Sequence, residues 1–233
     1  MVKKISRGIL VLLMGALSSA TTHAQSEKVV VAVDKGYPPY MYGSQKDAKG
    51  LYPRQIRAIF SRINVEVDIK ALPWKRALNL GEKGAAAVGG IYKNLERSKI
   101  YDYSHPIDEE TISIYVRKGD AFPFKELTDL KGKKIGINFG WSYGEAFDKA
   151  SKEGLFTVEE SHTNLASLQM LVRKRIDCFV SDHLAVTQII RQTELSDKIE
   201  KLEHPAAINK SYIVFAKSIN KRELLDRFRH FLK

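Results

Sequence analysis

The stretch Ala85-Ala-Ala-Val-Gly-Gly-Ile-Tyr-Lys-Asn-Leu-Glu-Arg-Ser-Lys-Ile100 decides the fold class. Its first half, to Ile91, is a continuous apolar run without polar alternation, the pattern of a strand covered on both faces. Asn94 then offers a side-chain oxygen to the free N–H groups opening a helix that runs to Ile100. A buried strand handing over to a capped helix is the building unit of an α/β fold. The unit recurs in both directions. Upstream, Val29–Val33 is a second apolar strand. Ile56, Ile59, Phe60 and Ile63 recur at helical spacing, Val65–Ile69 alternates as a strand, and Pro73 opens a short helix through Leu80. Downstream, strands are expected at Thr111–Val116, Lys134–Phe139, Phe156–Val158, Ile176–Val180 and Ser211–Ala216. Helices are expected after Gly140, around Leu165, Leu168 and Val172, over Leu184–Arg191, and over Arg222–Leu232. Strands alternating with helices predict parallel sheets.

The punctuation points to two lobes. Pro106 and Pro205 bracket a stretch with its own strand–helix succession. A chain that leaves one lobe near residue 109 and returns near residue 206 crosses twice. That makes a two-segment hinge with a cleft between the lobes, where small molecules bind. The expected division is residues 25–109 with 208–233 as lobe 1, and 110–207 as lobe 2. A chain of 233 residues suits it, at about 100–200 residues per domain.

The first 24 residues read as an address. Lys3, Lys4 and Arg7 precede the apolar run Gly8–Leu17, and small and polar residues follow to Ala24. This is the order of a secretory signal peptide, with cleavage expected after Ala24 and the periplasm as destination. The run is too short to span a bilayer, which needs about 20 apolar residues. Removing it takes the formal net charge from +11 to +8, and the remaining positive charge is dispersed. No basic arm is present, so nucleic-acid binding is not expected. The single cysteine, Cys178, excludes a disulfide framework and reads as a small core residue. His105, His162, His183, His204 and His230 show no metal-ligand spacing, and no phosphate-binding glycine loop occurs. No metal or cofactor is expected. Asp108-Glu-Glu110 reads as solvated hinge surface. One enzyme pattern does stand out. Gly140-Trp-Ser-Tyr-Gly144 matches the nucleophile elbow of a hydrolase, with Ser142 as nucleophile and Asp177 or Asp182 and then His204 following in chain order.

Several short patterns fall in one order: Gly36-Tyr-Pro-Pro-Tyr40, Trp74, Gly89–Arg97, Tyr103-Ser-His-Pro106, Leu127–Ile137, Gly140-Trp-Ser142, and Arg175-Ile-Asp177 through Asp182. Together they resemble the family 3 solute-binding proteins, periplasmic receptors of polar amino-acid ABC importers, over nearly all of residues 27–233. The resemblance implies the type II periplasmic-binding fold, a small carboxylate-bearing ligand such as an amino acid, a monomer, and a membrane permease or a sensor as partner. It implies no chemical change of the solute. A few relatives are dehydratases of cyclic carboxylic acids, which would need a general acid such as Glu110 or Glu145.

The resemblance also assigns residues. Arg97 would grip the ligand carboxylate with its planar two-donor fork. Asp182 would receive the ligand ammonium. Tyr37 and Trp74 would flank the ligand, and Ser142 would contact it from the second lobe near a helix start. Gly89 and Gly90 would let backbone amides approach closely. Tyr92 and Trp141 depart from the family pattern, replacing smaller residues, and are expected to shrink or reshape the cleft.

Overall fold

The computed structural model describes residues 28–229, so the expected signal peptide lies outside the described residues. The chain opens with β1 (Lys28–Asp34), then a small meander of β2 (Gly36–Tyr37), β3 (Met41–Gly43) and β4 (Ala48–Lys49). Next come α1 (Leu51–Arg62), β5 (Glu66–Leu72), α2 (Trp74–Glu82), β6 (Ala87–Tyr92), α3 (Leu95–Ile100) and β7 (Tyr101–Tyr103). The long strand β8 (Asp108–Arg117) leads to β9 (Lys134–Asn138), α4 (Glu145–Lys152), β10 (Thr157–Ser161), α5 (Asn164–Val172), β11 (Cys178–Asp182) and α6 (His183–Gln192). β12 (Ile199–Lys201), β13 (Ala207–Ala216) and α7 (Arg222–Phe228) complete the described chain.

The expectation of purely parallel sheets needs correction. Within each lobe the pairing is parallel, β1 with β5 and β6, and β9 with β10 and β11. The two crossing strands, however, run antiparallel and join everything into one sheet of order β10-β9-β11-β8-β13-β6-β1-β5. β8 pairs with β11 along its second half and with β13 along its first. β13 in turn pairs with β6. The physical reason is that the chain must return to lobe 1, and a returning strand beside its outgoing partner is antiparallel by construction. Both crossing strands are longer than their apolar runs suggest, because inter-strand hydrogen bonds continue through polar residues such as Glu109 and Lys210.

The cores follow the sheet. Val31, Val33, Ile56, Phe60, Ile91, Ile213 and Phe228 share one buried cluster. In the other lobe the period of two separates the faces: Ile114, Ile135, Cys178 and Val180 pack on one side, Tyr115 and Phe179 on the other. Each fully buried Ile, Leu or Phe contributes about 1.5–3 kcal/mol. β6 and β11 are buried along their whole length, as continuous apolar runs require.

Candidate functional site

A narrow cavity lies where the two lobes meet. From lobe 1 it is lined by Asp34, Tyr37, Met41, Trp74, Gly90, Tyr92 and Arg97, and from lobe 2 by Trp141 and Ser142. Each is placed by the end of an element. Asp34 ends β1, Trp74 opens α2 after Pro73, and Tyr92 ends β6. Asn94 caps α3 as the sequence predicts, accepting the Arg97 N–H at 2.9 Å, and so sets Arg97 on the first turn. Gly90 has φ +74°, and a Cβ there would meet the Tyr52 ring at 2.6 Å. Only glycine lets β6 bend past that ring.

Arg97 is half-buried. Its Nη1 donates to the Tyr92 carbonyl at 3.0 Å, and its guanidinium lies 6.0 Å from the Trp74 ring centre. Among the described residues it forms no ion pair. Burial pulls its pKa below the usual arginine value, with Tyr103 and Asp148 opposing. Asp34 is buried. It accepts the Gly36 N–H at 2.9 Å and the Trp141 indole N–H at 3.1 Å, and burial raises its pKa. A carboxylate has about four acceptor positions, so some remain for a further donor.

Trp141 is the main closure from lobe 2. Its ring meets Tyr37 edge-on at 4.4 Å, in addition to its bond to Asp34. Further contacts bridge the lobes: Asn94 Nδ2 to Ser142 Oγ at 3.2 Å, the Leu95 N–H to Glu145 at 2.8 Å, Asn209 Nδ2 to the Tyr143 carbonyl at 3.0 Å, and Lys75 over the Phe139 ring at 3.5 Å. With Tyr92 and Trp141 filling the cleft, the space left inside is about 20 Å³, enough for one water.

Two expected site residues do not line the cavity. Gly89 faces the core of lobe 1, where a Cβ would meet Ile56 at 2.6 Å. Asp182 is buried at the N-terminus of α6, where it accepts the Ala185 N–H at 2.8 Å. Burial pushes its pKa up to about 6, opposed by that bond and by the Tyr40 hydroxyl. Ser142 does line the cavity, but its hydroxyl donates to Asp148, which also accepts the Tyr143 N–H at 2.9 Å. The anion position at the start of α4 is thus taken by the helix's own aspartate. The hydrolase constellation is not assembled. Asp177 accepts the Lys134 N–H at 2.7 Å, while His204 lines a separate hollow with Phe122 and Phe124.

The reading of Asp108–Glu110 as solvated surface is corrected at Glu110, which is 1% exposed. Its Oε2 accepts the hydroxyls of Tyr37 and Tyr92, and its Oε1 accepts that of Tyr52. Ser211 donates to the Tyr52 oxygen at 2.9 Å. Burial raises the Glu110 pKa to about 7; the three hydroxyls oppose the rise and the charge of Asp182 adds to it. Glu145, the other expected acid, is exposed.

Sequence reasoning missed Asp34, Met41 and this role of Glu110. Signals existed for the two acids. Asp34 is a charge ending an apolar strand. Extending the alternation of β8 backwards puts Glu110 on the face of Ile112 and Ile114.

A sequence model of the bacterial extracellular solute-binding proteins, family 3, matches residues 29–232. The chain belongs to this family. Among relatives of this solute-binding protein is the L-cystine-binding protein TcyJ of Escherichia coli (strain K12), 25% identical over 82% of this chain and 74% of the relative. Two solved structures share its fold. A histidine kinase sensor domain with similarity to periplasmic binding proteins superposes with TM-score 0.75 at 22% identity, covering 89% of each chain. An ancestral arginine-binding protein bound to arginine gives TM-score 0.72 at 23% identity, covering 88% of this chain and 90% of that one. The architecture is the two-lobed type II periplasmic-binding fold.

Proposed function

We propose that this protein, exported to the periplasm after cleavage at Ala24, captures a small carboxylate-bearing solute, an amino acid, and presents it to the permease of an ABC importer. Its working form would be a monomer with lobes at 25–109 with 208–233 and at 110–207. One observation carries the reading: an arginine without an ion-pair partner among the described residues lines an aromatic cleft between two hinged lobes. A guanidinium so placed suits a carboxylate, which it holds with two parallel bonds. Tyr37, Trp74, Tyr92 and Trp141 would sandwich the ligand body. The acid placed to meet an ammonium is Asp34, which lines the cavity, whereas Asp182 is engaged as a helix cap. Entry of a solute requires the Trp141 contacts to Asp34 and Tyr37 to part, and re-closure would rebuild them around it.

A thermal-shift screen of amino acids, diamines and small carboxylates tests this. A ligand at 100 times its Kd stabilises by about 2.7 kcal/mol, a rise of about 5–10 °C for a chain of this size. Silence across the amino acids would sink the assignment. With a hit in hand, Arg97→Ala is expected to weaken binding by about 2–5 kcal/mol, roughly thirty to several thousand fold. Arg97→Lys should rescue only partly, because an ammonium lacks the fork. Asp34→Asn should cost more affinity for an amino acid than Asp182→Asn; the reverse order would return the ammonium to Asp182.

A further inference from the structure

Glu110 does not line the cleft, yet the cleft is built on it. It lies on crossing strand β8, opposite Asn209 of β13. The three hydroxyls it receives come from separate parts of lobe 1: Tyr37 from β2, Tyr52 from α1 and Tyr92 from the end of β6. Two of these, Tyr37 and Tyr92, are walls of the cavity, and both share one oxygen, Oε2. Tyr37 in turn carries the edge of Trp141, the closure from lobe 2. One carboxylate of the hinge therefore sets the positions of two walls and, through one of them, of the opposing lobe.

Among the described residues no cation pairs with Glu110. The groups acting most strongly on Glu110 are the three tyrosines and Asp182 at the end of the neighbouring strand β11, and Asp108, two residues back on β8, acts on Tyr52 of the cage. Tyr40, which stacks on Tyr37 at 4.9 Å, lies under the influence of both acids. Ser211 of β13 reaches the cage only through Tyr52. Among the described residues the hydrogen-bond donors to Glu110 are hydroxyls alone. A carboxylate accepts three O–H groups without conflict, but a carboxylic acid must also donate one hydrogen. On proton uptake at least one tyrosine must turn its hydroxyl or withdraw.

We propose that Glu110 is the positioning residue of the cleft: its carboxylate holds the Tyr37 and Tyr92 walls against the hinge strand, and proton uptake there releases them. Binding of the solute would then weaken as the acid protonates. That consequence rests on the cleft being the solute site, whereas the proposal itself can be tested without any solute.

Both tryptophans of the chain, Trp74 and Trp141, line the cavity, so intrinsic tryptophan emission reports on its walls, with Asp34 bonded to the Trp141 indole as a second acid that emission can sense. Emission of the full mature protein would be followed from pH 5.5 to 8.5 with no ligand added. The expected result is one transition centred near pH 7, absent in Glu110→Gln. Tyr37→Phe removes a donor that favours the charged form, so it should move the midpoint upward by about one pH unit. That direction is not a property of general loosening, and it keeps the test decisive if Glu110→Gln fails to fold. Flat wild-type emission, a transition near pH 7 surviving in Glu110→Gln, or a midpoint unmoved or lowered in Tyr37→Phe would each overturn the proposal, whereas a lower transition left in Glu110→Gln belongs to Asp34 or Asp182. A silent ligand screen would leave these titrations unaffected, so the two readings fail separately.

Discussion

Asp182 and Glu110 are both buried carboxylates near the hinge, and they are held by different chemistry. Asp182 ends β11 and caps α6, where free peptide N–H groups of the helix converge on it. Glu110 lies within β8, where neighbouring peptide groups are committed to the sheet, so its partners are side-chain hydroxyls. Burial raises both pKa values, to about 6 and about 7. The difference appears on protonation. A peptide N–H is fixed by the helix and can only lose its acceptor. A tyrosine hydroxyl can rotate and accept instead. The helix end makes a rigid cap, and the hydroxyl cage makes a holder that rearranges.

The largest effect is expected from Glu110→Leu. Three buried hydroxyls would lose their acceptor, and unsatisfied buried groups cost about 1–3 kcal/mol each before relaxation. A net loss of about 3 kcal/mol is expected at pH 8, where the wild-type carboxylate is charged and the cage closed, a fall in Tm of about 6–12 °C by calorimetry. An unchanged Tm would mean that the cage contributes nothing to stability.

The pH dependence of stability sharpens the contrast between the two acids next. Both acids bind their proton more tightly folded than unfolded, so their contribution is fully present below the ordinary carboxylate range. It is lost as pH rises, through about 6 for Asp182 and about 7 for Glu110. Denaturant titrations from pH 4 to pH 8 should show this part of the stability declining. Glu110→Gln should flatten the upper portion and Asp182→Asn the lower. Stability from these groups that rises over the same window would reverse the assignment.

Smaller effects follow at the cap. Asp182→Ala should cost about 1 kcal/mol, the usual loss for an N-cap aspartate. Asp182→Asn should stay within about 0.5 kcal/mol near neutral pH, because asparagine caps about as well. Equal losses in the two variants, read from chemical denaturation midpoints, would indicate that charge rather than capping geometry matters there.

Much of the site was legible locally. Asn94 as cap, Pro73 before α2 and the glycine at 90 are decided by residues within a turn of one another, and each lies where the sequence places it. Arg97, Tyr37, Trp74, Tyr92, Trp141 and Ser142 meet at one cavity. Asp182 also has a local use, because a residue preceding a helix can cap it, and its carboxylate accepts the Ala185 N–H. Glu110 departed from expectation because its surroundings are non-local: the tyrosines that bury it stand at positions 37, 52 and 92. The meander β2-β3-β4 was missed because strands of two or three residues are too short to show a period.

The alternating strands and helices, the two crossings and the residue types that could meet a carboxylate are written in short stretches of the chain. Those depend on apolar periodicity and on backbone preferences that act over a few residues. The assembled fold alone joins the crossing strands and both lobes in one sheet, places Asp34 in the cavity lining and buries Glu110. Burial of a charged side chain depends on which distant segments cover it. In Asp108-Glu-Glu110, pleating turns Glu109 to the opposite face from the other two, and of the two acids that share the tyrosine side only Glu110 is covered by the tyrosines of distant segments.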